Sequence, residues 1–116
     1  MRVIADLRHA TVSLVSTTMI EPELCQSMDQ VRSAIDELDG VIIDVLARRF
    51  RYVEAAARIK DSRETVRDDT RKAQIVARAE LLARERGLPA NLIGRLYEQL
   101  IEGAIAFELA KFDQRG

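Results

Sequence analysis

Residues 28–60, MDQVRSAIDELDGVIIDVLARRFRYVEAAARIK, contain no proline and a single glycine, and this stretch limits the folds open to the chain more than any other. Val31, Ile35, Leu38, Ile42, Val45, Arg49, Tyr52, Ala56 and Ile59 follow alternating steps of four and three, the seam spacing of helices packed along their length. The stretch is therefore predicted as one helix about 50 Å long. Ser27 or Asp29 is placed to cap its start. Gly40 costs about 1 kcal/mol relative to alanine in a helix interior, and close packing is the reason expected for it. One seam position, Arg49, is a cation. Eleven further steps of ~100° make nearly three turns, so Lys60 returns to about the same face, about 16 Å along the axis. A buried cation needs a negative group to meet it. No permanent acid is obvious for both, and a bound anion is one explanation. The plainer ones stay open: Arg49, flanked by Arg48 and Arg51, can snorkel to solvent, and Lys60 at a helix end suits the macrodipole.

Beyond Lys60, residues 61–69 (DSRETVRDD) have no periodicity and read as a loop too polar to bury, at the mouth of whatever site Lys60 faces. Asp68 or Asp69 should cap a second helix with the apolar face Ile75, Val76, Ala79, Leu82 and Ala83, ended by Gly87. Pro89 lies near the start of a third helix, from about Asn91 to Phe112. Its stripe is Ile93, Tyr97, Leu100, Ile101, Ala104 and Glu108, so a charge again interrupts an apolar face. Glu108 can reach solvent or pair with Lys111 three residues on. Residues 1–27, β-branched and Ser-rich before Glu21-Pro22-Glu23, differ in composition and are read as an N-terminal extension to a helical domain at 28–113. The expected fold is all-α: a three-helix protomer with one very long N-terminal helix. Two shorter helices cannot cover that long seam, so a second copy is expected to bury it as a homodimer.

Charge narrows the partners. Eighteen Lys and Arg against nineteen Asp and Glu give a net charge of −1, which offers no general attraction to nucleic acid or an anionic membrane. Any anion site must be local. The single Cys25 cannot make an internal disulfide, and with one histidine, His9, no zinc site is expected; a reducing cytoplasm is the default location. Asp6, Arg8 and His9 interrupt the apolar start, so a cleavable signal is not expected, and no run approaches membrane-spanning length.

Arg32 stands seventeen residues before Arg49, about 26 Å along one helix, too far for both to hold one small molecule unless Arg32 comes from a partner chain. With Arg32, Arg49, Lys60 and Glu108 spaced over three helices, the chain resembles the all-helical (type II) chorismate mutase family. The likeness covers residues 28–113, through VRSAIDELDGVIIDVLARR, Lys60, VRDDTR and LYEQLIEGAIAFELAKF. It is also similar to the isochorismate pyruvate-lyase branch in Pro22-Glu23-Leu24-Cys25, RRFRYVEAAARIK and the short segment from Lys60 to Arg71.

The resemblance implies an intertwined homodimer with two sites, in which Arg49 grips one carboxylate of the substrate and the partner's Arg32 the other. Guanidinium forks match carboxylates bidentately. Lys60 and Glu108 would hydrogen-bond the ether oxygen, on which negative charge gathers when the C–O bond breaks ahead of C–C formation. No metal, cofactor or covalent intermediate is implied. Asp68 and Arg71 match loop contacts to the substrate. Three positions depart from the better-known bacterial pattern. Glu108 stands where many bacterial members have Gln and fungal ones Glu, Ala104 replaces a carboxylate-binding serine, and Lys72 replaces a glutamate that contacts the substrate hydroxyl. A glutamate donates to the ether oxygen only when protonated, a form favoured by an apolar stripe and an incoming dianion. The implied reaction is chorismate to prephenate, in aromatic amino acid biosynthesis. The alternatives are cleavage of isochorismate to salicylate and pyruvate, and a non-catalytic helical dimer with a regulatory or interaction role.

Overall fold

A computed structural model describes residues 19–115, so most of the expected N-terminal extension, residues 1–18, lies outside the described residues. Helix α1 spans Met28–Ile59, α2 Asp69–Glu85 and α3 Ala90–Asp113; short 3-10 turns occupy Pro22–Leu24 and Arg63–Thr65. No strand occurs among the described residues, and the chain is all-α with three helices, as its periodicity predicted. It divides into two compact units, one ending at Arg49 and one beginning at Phe50.

In the first unit the start of α1 is held by Ser27, whose Oγ accepts from the Gln30 amide at 3.2 Å, while Gln30 Oε1 accepts from the Gln26 amide at 2.6 Å. This reciprocal cap satisfies two donors, one of them left open by the helix start. Pro22 opens the preceding 3-10 turn, where a missing N–H does no harm. Along α1, Ile35, Ile42 and Val45 are half or more exposed. An added Cβ at Gly40 would meet nothing within 4 Å among the described residues, so none of them accounts for the glycine.

The second unit holds the core. Val66, Ile101 and Ile105 are buried together, with Ile75, Val76, Tyr97, Leu109 and Phe112 packed against them. Small residues on the same faces, Ala57, Ala79, Ala83 and Ala104, let the helices approach closely, and Phe50 meets Phe107 edge to face at 5.0 Å. Asp68 caps α2 by accepting from the Arg71 amide at 3.0 Å. At its other end Leu88 N donates to Ala83 O (2.8 Å) and Gly87 N to Arg84 O (3.2 Å). This pairing requires a left-handed residue, and Gly87 has φ +73°. The reading of residues 61–69 as too polar to bury is corrected by Val66, 4% exposed. One apolar side chain in a charged run suffices to anchor the loop in the core, a signal without periodicity and so invisible to it.

Candidate active site

Two charges in apolar stripes on different helices meet. Glu108, carried on the face of Ile101 and Ala104, is 7% exposed and the only buried charged residue among those described. Its Oε2 lies 2.7 Å from Lys60 Nζ. Lys60 follows the last residue of α1 and keeps the helical bond from its amide to Ala56 O at 2.9 Å. Its ammonium also donates to the Val66 carbonyl at 3.4 Å. Desolvation makes an unpaired carboxylate costly here, and the Lys60 charge offsets it. Glu108 Oε2 nonetheless has no hydrogen-bond partner among the described residues. At 2.7 Å the Lys60 ammonium is close enough to neutralise the carboxylate but lies off the favoured hydrogen-bond direction, so the contact is chiefly one of charge. The pairing of Glu108 with Lys111 considered from the sequence is not the one formed: Lys111 pairs with Glu54 at 3.3 Å and lies over the Phe107 ring.

The remaining candidates fall elsewhere. Asp68 and Arg71 come together as the cap of α2 and are exposed. Arg49, half-buried, and Arg32, exposed and 4.0 Å from Asp29, belong to the first unit. Among the described residues no three His, Cys, Asp or Glu side chains gather so as to hold a metal ion, and no helix is long and apolar enough to cross a membrane.

Lys72 does not present a free cation. It pairs with Glu102 at 2.7 Å and Glu98 at 2.9 Å on α3, and Glu102 also takes both terminal nitrogens of Arg67 at 2.7 and 3.2 Å. Arg67 and then Lys72 hold the Glu102 carboxyl down at about 2, and Glu102 in turn raises both cations. The sequence reading did not find this cluster, although Glu98 and Glu102 stand one turn apart. Arg63, bidentate on Asp113, and Arg115 were missed as well, because their partners lie 50 or more residues away.

Residues 31–109 match the family described as chorismate mutase type II. Over 96 residues the chain is 34% identical to the isochorismate pyruvate lyase of Pseudomonas aeruginosa, a span of 83% of this chain and 95% of that protein.

Proposed function

Because the chain belongs to the type II chorismate mutase family, we propose that it rearranges chorismate to prephenate, as an enzyme of aromatic amino acid biosynthesis in the cytoplasm. The observation that carries this reading is the pairing of Lys60 with the buried Glu108 carboxylate. In the proposed site Arg49 binds one substrate carboxylate and the partner's Arg32 the other, with Asp68 and Arg71 contributing from the loop and the start of α2. The two guanidinium forks hold the folded conformer in which the reacting carbons face each other. Lys60 then donates to the ether oxygen. Glu108, in its acid form, donates beside Lys60. Charge growing on that oxygen in the transition state meets two donors already in position, so the barrier falls more than the ground state does.

A second reading, isochorismate to salicylate and pyruvate, is favoured by the similarity to the Pseudomonas lyase. The same C–O bond breaks, and the same donors serve. Purified protein is given chorismate, with loss of its absorbance and acid conversion of the product to phenylpyruvate followed, and separately isochorismate, with salicylate fluorescence followed. Turnover of chorismate alone, or at much higher kcat/KM, is expected; preference for isochorismate establishes the lyase reading instead. Loss of neither substrate leaves the helical fold as a binding module. Glu108→Gln keeps a neutral donor of similar length, so substantial activity should remain, whereas Glu108→Ala should be badly impaired.

A further inference from the structure

The last carbonyls of an α-helix have no partner within it, and at the end of α1 two of them are taken by one distant side chain. Arg115 Nη1 donates to the Ala57 carbonyl at 3.1 Å and to the Lys60 carbonyl at 2.6 Å. The guanidinium lies over the Phe112 ring, 4.1 Å from its centroid, and Phe112 is packed against the core. Two residues before Arg115, Asp113 accepts from Arg63 Nε at 3.0 Å and Nη2 at 3.4 Å. The end of α3 thus clasps the chain on both sides of Lys60. A cation there also suits the negative end of the α1 dipole.

Glu108, Phe112 and Arg115 follow steps of four and three along one face. The element that meets the Lys60 ammonium therefore also meets the Lys60 backbone, seven residues further on. Lysine carries its charge on a flexible four-carbon stem, so the position of Nζ is defined only if the backbone beneath it is. A helix end without tertiary bonds frays. Neither Asp113 nor Arg115 lies within residues 31–109, the span that matches the family.

We propose that Arg115 is a positioning residue for Lys60: by holding the Ala57 and Lys60 carbonyls it fixes the end of α1 and keeps Nζ at the site it shares with Glu108. The catalytic part of this inference rests on the proposed reading that Lys60 donates to the substrate. Arg86 provides the matched control, since its Nη1 donates to Leu82 O at 3.2 Å at the end of α2, the same capping chemistry with no site residue beneath it.

The experiment uses the full chain as wild type, Arg115→Ala, Arg115→Lys and Arg86→Ala, with helicity checked by circular dichroism. Trace acetylation by acetic anhydride, read by mass spectrometry, compares the reactivity of the three lysines, Lys60, Lys72 and Lys111, so Lys72 and Lys111 serve as internal references. Arg115→Ala should raise Lys60 labelling relative to Lys72 about fivefold, as the helix end opens more often. Arg115→Lys, which keeps the charge on a shorter stem, should lie between, and it carries the test should the alanine variant lose helicity. Arg86→Ala should leave the ratio unchanged. Unchanged Lys60 labelling in both Arg115 variants overturns the clasp. On the preferred substrate kcat should fall about tenfold with KM within about twofold, because the misplaced donor acts in the transition state. Raised labelling with unaltered kcat overturns the catalytic role of the clasp. A wild type inactive on chorismate and isochorismate overturns the proposed reaction instead, and the labelling ratio then decides the clasp alone.

Discussion

A carboxylate that is 7% exposed beside an ammonium is an awkward residue to keep for stability alone, since an apolar pair of similar volume is often as stable as a buried ion pair or more so. That comparison separates a structural use of Lys60 and Glu108 from a catalytic one. Lys60→Met leaves Glu108 without its cation and should cost about 1–3 kcal/mol, the range for a buried polar group left unsatisfied and below that for a fully buried charge, because Lys60 is 30% exposed. Adding Glu108→Leu removes the orphaned carboxylate and should restore most of that loss. Urea unfolding of the single and double variants measures both steps, and the double variant should be stable and without activity. A Lys60→Met protein as stable as wild type would show that the two charges are not coupled.

Between elements, charge ties the start of α2 to α3. Arg67 and Lys72 converge on Glu102, whose carboxyl is held at about 2, below the ordinary 4.5. A depressed carboxyl contributes stability above its unfolded value and loses it as pH falls through the folded one. The contribution of Glu102 is therefore complete above about pH 4.5 and disappears toward pH 2. Thermal unfolding at pH 7 and pH 2.5 should find wild type more stable than Glu102→Gln at the higher pH, with most of that difference gone at the lower. Added salt should shrink the difference, because these exposed groups are screened. A difference undiminished at pH 2.5 would assign it to packing rather than charge. The cluster also commits Lys72 to Glu98 and Glu102.

At the scale of the whole molecule the open seam of α1 is the main unspent surface. Ile35, Ile42, Val45, Tyr52 and Ile59 are 50–66% exposed, and a second copy is the proposed cover. If each site draws Arg49 from one chain and Arg32 from the other, mixing the inactive variants Arg32→Ala and Arg49→Ala under conditions of chain exchange should restore one working site per heterodimer. Confirmed exchange without recovered activity would rule out the shared site. What the sequence determined by itself is local. The seam spacing, Ser27, Asp68 and Gly87 place α1 at Met28–Ile59 and α2 at Asp69–Glu85, because caps and periodicity act within a few residues of chain. It also placed Arg49, Lys60 and Glu108 in apolar stripes. Only the tertiary structure decided which charges meet: Lys60 with Glu108, Lys72 with Glu98 and Glu102, Arg115 with the end of α1. It also decided that Val66 is core and that no described residue packs on Gly40. Side-chain contacts across 26 to 58 positions leave no trace in spacing, since the chain reports the face a residue occupies and packing alone selects what that face touches.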